Sequence, residues 1–463
     1  MRSFQRPDSS RNGQAVLLVT LALVPMIGLV SLVTDVGYLY YLKNSAQAAA
    51  DSAALAAVYR FKSTISGSSF SCSSYEWICH ADPWPCPSDL TSAANPPETG
   101  CLYAKQNGFG TADSRKTVTI QSGVTSSVPT APGVAGAGYW VTVRVTQNVP
   151  LLFAAVMGNR NGLVAARASA ALHPGLGCVY ALDPTAQGSF YQNGTTTFQA
   201  ACGIYVNSDD PSAAMEGNGG AVLETSMINV VGGVDWQGTI SPPPNTGVSP
   251  VIDPLSYLQP PVPCAPGGGC DGADCSAHPS RTDVNSDITL SPGTYCGGIR
   301  VKNATVTFSA GTYIIVGGGI STQDTNSHVV LLPDRPEGSG VFFYNTYNSS
   351  HSYSPIDFNA NSSVRIAAAT SGDYAGVLYM QDRSCCTTNI PTESFQGGAT
   401  SFFEGIIYAP RSLVQFAGNP TLDISHYTIV VARRFAIQGT STMNNDFSHL
   451  VGGNPIKQAG LVE

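Results

Sequence analysis

Ser291-Pro-Gly-Thr-Tyr295 returns eighteen residues later as Ser309-Ala-Gly-Thr-Tyr313, and each copy leads to a glycine and a short apolar segment, Gly298-Ile-Arg-Val301 and Gly319-Ile320. Self-similarity at a short period marks an architecture in which each repeat buries its apolar side chains against the next. One repeat is therefore expected to be one rung of a stack. A second, imperfect series, Gly340-Val-Phe-Phe-Tyr344, Gly376-Val-Leu-Tyr379 and Gly405-Ile-Ile-Tyr408, is spaced by 36 and 29 residues, which implies loops of variable length between rungs. Gly and Asn stand where corners would turn, and no helical pattern interrupts the run. The reading is a right-handed parallel β-helix over residues 175–453, with a β-sandwich as the alternative. Inside it, residues 238–272 carry Pro242-Pro-Pro244, Pro260-Pro261 and Gly267-Gly-Gly269, the composition of a polyproline-like arm. Residues 454–463 are expected to be a short C-terminal tail.

Moving towards the N-terminus, residues 62–174 read as a cysteine-containing insert followed by a small α+β module. Cys101 to Gly108 has the pattern of a helix closed by glycine, and Thr117–Gln121 and Tyr139–Thr146 that of strands. Pro150 to Gly158 suggests another short helix, and Leu163–Leu172 an Ala-rich strand or helix.

The first sixty residues have a different character. Asn12 to Thr34 is a run of 23 residues without a charge, about 34 Å as a helix against a hydrocarbon layer of roughly 30 Å. Arg2, Arg6 and Arg11 precede the run, whereas Asp35 follows it and Lys43 comes later. Residues 1–11 are therefore expected on the cytoplasmic side, 12–34 as a transmembrane helix, and the bulk of the chain exported. A cleaved signal peptide is the rival reading, disfavoured by the length of the apolar run. Residues 35–61 should continue the helix, since they are rich in Ala and hold no Pro. Ala46, Ala50 and Ala54, with Ala49, Ala53 and Ala57, recur every four residues and make a face that another backbone can approach closely. That face packs either on the protein's own next domain or on a neighbouring subunit.

Twelve cysteines, all beyond the apolar run, imply an oxidising compartment. Cys72, Cys79, Cys86, Cys101, Cys178, Cys202, Cys264, Cys270, Cys275, Cys296, Cys385 and Cys386 are all disulfide candidates. Cys178 with Cys202, and Cys264, Cys270, Cys275 and Cys296 among themselves, are the simplest groupings; Cys385 and Cys386 pair with each other or separately. The early cysteines form no Cys-x-x-Cys pair beside His80, so zinc is not expected. Charged residues are 11% of the chain and the net charge is −8 without basic runs, which removes nucleic acid as a partner.

Parallel β-helices are frequent among polysaccharide lyases and hydrolases, so acids and bases on successive rungs must be weighed. Asp373, Asp382, Arg383, Glu404, Arg411, Arg433 and Arg434 are the candidates, each more simply a turn residue. The seven histidines are scattered, and no nucleophile elbow, phosphate loop or HExxH motif occurs. No catalytic residue, metal ligand or cofactor is assigned. A membrane-anchored protein that binds or cleaves a cell-surface glycan remains the alternative reading.

Arg11-Asn-Gly-Gln-Ala15, Thr34-Asp-Val-Gly-Tyr38 and Ala46-Gln-Ala-Ala-Ala-Asp-Ser-Ala-Ala-Leu-Ala-Ala57 together resemble the N-terminal segment of the Tad/Flp pilus-assembly family, in particular its TadG-like members. Asn107-Gly108, Val149-Pro150-Leu-Leu-Phe153 and Ala165–Ala171 are similar to the short α+β part that follows. Cys202-Gly-Ile-Tyr-Val-Asn-Ser208, Gly217-Asn-Gly-Gly220 and Val230-Val-Gly-Gly233 resemble the β-helical extension that some members carry. Two features depart from related patterns. Prepilins have Glu at the fifth mature position, where counting from Gly13 gives Leu18, so peptidase processing is not expected. Asp210-Pro-Ser-Ala-Ala214 and Asp423-Ile-Ser-His-Tyr427 each lack the last Ser of a von Willebrand-type metal motif. The resemblance implies a non-enzymatic inner-membrane protein of a Tad pilus or secretion machine. Its partners would be pseudopilins and other machine proteins, and its periplasmic or cell-surface β-helix would serve as a spacer or adhesive domain.

Overall fold

A computed structural model describes residues 11–64, 72, 78–124, 127–128, 131–135, 138–151, 155, 158, 160–265, 268–331, 340–386, 388–398, 401–418, 425–450 and 453–462. The chain is mostly β and divides into two units, one of residues 1–65, 70–173 and 459–463, the other of residues 66–69 and 174–458.

The first unit is built on α1 (Arg11–Thr64), which runs unbroken through Pro25. The short helix α2 (Pro96–Gln106) starts five residues before the expected Cys101, because Asn95-Pro-Pro-Glu98 is a complete N-terminal signal. Asn95 Oδ1 accepts from the Glu98 amide at 2.9 Å, and Glu98 Oε2 accepts from the Ala94 amide at 2.7 Å. Past Asn107, Gly108 takes a positive φ of 91°, as a C-terminal stop should.

Beneath the helices lies a five-stranded sheet, in the order Trp84–Pro85, Lys116–Gly123, Trp140–Pro150, Asn161–Pro174 and Lys457–Leu461. Val118 faces Val145, and Val143 faces Ala168, in antiparallel register. Asn161–Pro174 is a strand in spite of its alanines: Leu163 points to solvent, while Val164, Ala166, Ala168 and Ala170 are buried at every second position. The helix expected from Pro150 does not begin there, because Pro150 ends a strand; most of the rest, residues 152–154, 156–157 and 159, lies outside the described residues.

The C-terminal segment is not a tail. Lys457–Leu461 borders Asn161–Pro174, and the Val462 amide donates to Ser169 O at 2.8 Å. An open strand edge leaves backbone groups without partners, and the last residues of the chain supply them.

The second unit is a stack of short strands in three parallel ladders. The longest ladder runs, in spatial order, through Gly293–Cys296, Gly311–Val316, Val341–Thr346, Val377–Gln381, Phe402–Gly418 and Thr428–Gln438. It then passes to Gly177–Ala181, Gly203–Val206, Ile228–Val230 and Asn245–Thr246. Spatial order is thus not chain order. The chain enters in the middle of the stack, climbs to one end, crosses to the other end, and returns to the middle. There Val430 pairs with Val179, Phe435 with Phe190 and Ser441 with Phe198. One apolar core runs through both halves, including Phe190, Phe198, Phe308, Phe343, Phe403 and Phe435.

Residues 247–265 and 268–281 lie on the crossing, and this corrects the expectation of an arm over 238–272. Residues up to Thr246 belong to strands Val234–Ser241 and Asn245–Thr246. The remainder is a strap: Leu255 and Leu258 are buried against Val316, Tyr344, Met380, Tyr408 and Val431 on the outer face of the longest ladder. At about 4.8 Å per strand the ladder is roughly 40 Å tall, a span that the strap's length covers easily.

The repeat that opened the sequence reading is offset in register. Gly293 pairs with Tyr313 and Tyr295 with Ile315, two residues away from alignment of the identical motifs. A shift of two keeps every side chain on its own face. Tyr295 and Tyr313 both remain buried, and their hydroxyls donate to the carbonyls of Ser291 at 2.7 Å and Ser309 at 2.8 Å. In the second series the later two copies are each one residue shorter than the first, and a register shift between Val377 and Tyr379 sets those two apart. Tyr344 and Tyr408 both align with Met380, whereas Tyr379 aligns with Phe343 and Ile407 and turns into the core. Glycine is required at the corners. Gly297 and Gly318 both have positive φ, and a β-carbon on Gly318 would collide with the Gly297 carbonyl one rung away.

Candidate functional site

α1 changes character along its length. Leu17, Leu18, Val19, Leu21, Leu23, Met26 and Val33 are each half-exposed or more, and the exposed Tyr38, Tyr40 and Tyr41 follow. Among the described residues no helix is long and apolar enough to cross a membrane. Residues 1–10 and the side chains of Arg11–Val16, Val24 and Ile27–Leu32 are outside the described set, and with them the arginines of the flank.

From Leu39 onward one face of the helix packs on its own unit. Ala46, Ala49, Ala50, Ala53, Ala54 and Ala57 are all 0% exposed, packed with Ala104, Val118, Ile120, Val143, Val145 and Ala168. At Gly100 of α2 an added β-carbon would meet Ile120 Cδ1 at 2.9 Å and the Ala53 carbonyl at 3.2 Å. Small residues at four-residue spacing serve here to bring α1, α2 and the sheet together. Of the two packing partners open from sequence, it is the helix's own unit that covers the alanine face in this structure. Gln47 Nε2 donates to Arg167 O at 2.9 Å, and Phe61 stacks on Tyr139 with ring centroids 3.9 Å apart.

Six disulfides close short loops: Cys72–Cys79, Cys86–Cys101, Cys178–Cys202, Cys264–Cys270, Cys275–Cys296 and Cys385–Cys386. Cys275, Cys296 and His351 bring potential metal-ligand atoms within 4.8 Å of one another, but the two sulfurs are bonded to each other, which withdraws them from the thiolate chemistry a metal needs.

The seven polar residues weighed as catalytic do not converge. Asp373 is exposed in a turn. Asp382 is buried, accepting from Thr346 Oγ1 at 2.6 Å and from the Ser384 amide at 2.8 Å. Arg383 clamps the strap, donating to Leu255 O and Leu258 O, each at 2.7 Å, and to Tyr408 Oη at 2.6 Å; Tyr408 in turn donates to Asp253 at 2.6 Å. Glu404 is buried and accepts from the His426 amide at 3.0 Å and lies 2.8 Å from its Nδ1. The His426 ring lies 4.1 Å from that of His449.

Arg433 and Arg434 share one acceptor, and Arg411, which donates Nε to Arg383 O at 2.9 Å, lies on the neighbouring rung. Ala409 pairs with Ala432 and Leu413 with Arg434, so the corner Pro410–Ser412 lies opposite Arg433 on the next rung. Arg433 and Arg434 both donate Nε to the buried Asp183 Oδ2, at 2.8 and 3.2 Å. Asp183 Oδ1 accepts from the amides of Thr185 and Ala186 at 3.1 and 3.0 Å. Burial alone would raise the Asp183 pKa, but hydrogen bonds from Arg433, the Thr185 amide and Arg434 outweigh it and hold the carboxyl below its ordinary range.

Sequence reasoning missed Glu393, fully buried between rungs. Its carboxylate accepts from Tyr353 Oη, from Ser412 Oγ at 3.0 Å and from the Ile356 amide at 2.7 Å. Burial pushes its pKa upward. The only signal was its inward place in the alternating strand Thr392–Gly397, invisible until that strand's register was known.

A first unit organised around one long, half-apolar helix, followed by a unit of stacked parallel strands, defines the class of this protein. Within that class, residues 13–60, all of them in α1, match the family model described as "Putative Flp pilus-assembly TadE/G-like". Residues 269–449 match a domain of unknown function (DUF7305). That second match starts in the strap and covers the half of the stack that is continuous in the chain, from Thr282 to Met443. The chain thus carries a TadE/G-like segment ahead of this domain, consistent with a TadG-like protein, and the segment supports involvement in pilus assembly. No curated protein and no solved structure matches the chain.

Proposed function

We propose that this protein is a non-enzymatic, single-pass component of a Tad/Flp-type pilus assembly or secretion system. Its N-terminus is cytoplasmic, residues 12–34 lie in the inner membrane, and its bulk is periplasmic or at the cell surface. The second unit is a right-handed parallel β-helix that acts as a spacer or adhesive domain. The observation that carries the reading is the division of α1, whose TadE/G-like sequence holds exposed apolar side chains from Leu17 to Val36 and buried alanines from Ala46 to Ala57. Exposed apolar surface on this scale is costly in water and favourable in lipid. Tyr38, Tyr40 and Tyr41, exposed next to it, have the amphipathic character of side chains at a membrane–water interface. Three parallel ladders sharing one core support the β-helix, and six disulfides support export.

Because the alanine face is occupied, pseudopilins and other machine proteins would meet the apolar half of α1 inside the membrane. The test is alkaline extraction of membranes containing the full-length tagged chain, followed by affinity capture and mass spectrometry. Retention of uncleaved protein with pilus-machine components is the expected result. Release of the chain, or capture without those components, overturns the reading.

A further inference from the structure

We propose that the bridge between the adjacent Cys385 and Cys386 is a redox-operated latch for the strap: closed, it holds the strap on the stack; opened by a dithiol, it loosens the strap from the apolar face beneath. The two residues directly before the bridge bind both stretches of the strap. Arg383 donates to Leu255 O and Leu258 O, each at 2.7 Å, and Ser384 Oγ accepts from the Gly269 amide at 3.2 Å. Tyr347, whose hydroxyl donates to the same Ser384 Oγ at 3.3 Å, accepts the Cys270 amide on its carbonyl at 2.7 Å. The turn that aims Arg383 and Ser384 ends at the bridge. Asp382 O accepts from the Cys385 amide at 3.4 Å, and Asp382 Oδ1 accepts from the Ser384 amide and hydroxyl at 2.8 and 2.5 Å.

Two features set this bridge apart. It joins neighbours in sequence, whereas the other bridges have separations of 6 to 24 residues. A cross-link restricts the unfolded chain more as its loop lengthens, so chain entropy stabilises this one least. Among the described non-glycine residues, moreover, only Asn303 and Cys386 have a positive φ, 51° and 59°. Asparagine adopts that region readily, and cysteine does so under constraint. Opening the bridge removes the constraint, and return of Cys386 to negative φ displaces the turn. The step is thiol–disulfide exchange. One thiolate of the dithiol attacks Cys386, the less buried of the pair, forming a mixed disulfide and expelling Cys385 as a thiolate that takes up a proton. The second thiol of the reductant then attacks its own sulfur and releases Cys386. Two electrons and two protons thus pass to the bridge, and the reductant leaves as a cyclic disulfide. The strap keeps its ties at Val251, Asp253 and Gln259, so it loosens without detaching. The inference does not rest on the pilus reading.

The full-length protein in neutral detergent is treated with rising dithiothreitol, alkylated, digested briefly with subtilisin and mapped by mass spectrometry. Cys385 and Cys386 are expected to take up the label before any other cysteine. Cleavage within residues 247–265 should then quicken about tenfold, the factor that loss of one charge-assisted hydrogen bond implies. The double variant Cys385→Ser, Cys386→Ser, which leaves the other bridges intact, should be cleaved at the fast rate without reductant. Labelling of another bridge first, or an unchanged cleavage rate once Cys385 and Cys386 are labelled, overturns the proposal. A double variant without a cooperative melting transition has unfolded, and the wild-type protein at the lowest effective dithiothreitol then decides by the same two readings.

Discussion

Val430 lies in parallel register beside Val179, although the strap and most of the ladders separate them along the chain. The Gly175 amide also donates to Ile456 O at 2.7 Å, so the chain enters and leaves the stack side by side. The two ends of the stack are joined by the strap, and its middle is a seam between segments made early and late in synthesis.

The seam should be a weak point with a definite signature. Phe435 packs against Phe190, Phe198 and Phe416, with ring centroids 5.6, 6.1 and 5.7 Å away. Phe435→Ala is expected to cost about 3–5 kcal/mol, and hydrogen exchange should quicken in Gly177–Ala181 as well as Thr428–Gln438. Exchange that rises on one side only would mean the two halves are not one cooperative core.

The strap depends on Arg383, whose guanidinium bonds Leu255 O, Leu258 O and Tyr408. Arg383→Ala should expose residues 247–263 to limited proteolysis while near-ultraviolet circular dichroism of the remainder changes little. Cleavage at the wild-type rate would show that apolar burial of Leu255 and Leu258 holds the strap unaided.

At Ala50 there is no room for a larger side chain. Ala50→Leu is expected to destabilise the first unit by about 1–3 kcal/mol through overpacking, seen as a lowered first melting transition even in protein purified away from any partner. An unaltered transition with lost piliation would restore an intermolecular role for this face.

Asp183 makes stability depend on pH with a known sign. Its folded pKa lies below its unfolded one, so its contribution is present above the ordinary carboxylate range and lost as pH falls through the folded value. Asp183→Asn should therefore cost roughly 1–3 kcal/mol at neutral pH, and the gap to wild type should close below about pH 4. Denaturant midpoints for both proteins across pH 3–8 check this; a constant gap would argue that neutral hydrogen bonding is all that Asp183 supplies.

Much of this was legible because it depends on local pattern. Four-residue spacing of small residues marked the packing face of α1, alternation marked Lys116–Gly123 and Trp140–Pro150, and the repeated Ser-x-Gly-Thr-Tyr marked strands that stack. Strand Asn161–Pro174 was ambiguous because alanine favours no sheet by itself; the neighbouring strand Trp140–Pro150 decided it. Glu393 and the pairing of Arg433 and Arg434 with Asp183 were hidden because adjacency across rungs depends on register, and bulges shift that register unpredictably, as between Ala409 and Leu413.

By itself, then, the amino-acid sequence determined the elements: a long apolar-then-alanine helix, a small α+β module, and strands whose inward residues could only be buried by stacking. Only the tertiary structure decided their order and partners. Any rung of similar cross-section can stack on any other, since parallel backbone hydrogen bonding does not read side-chain identity. The seam at Val179 and Val430, the strap clamped by Arg383, and the alanine face closed by Gly100 therefore come from long-range packing that no local window contains.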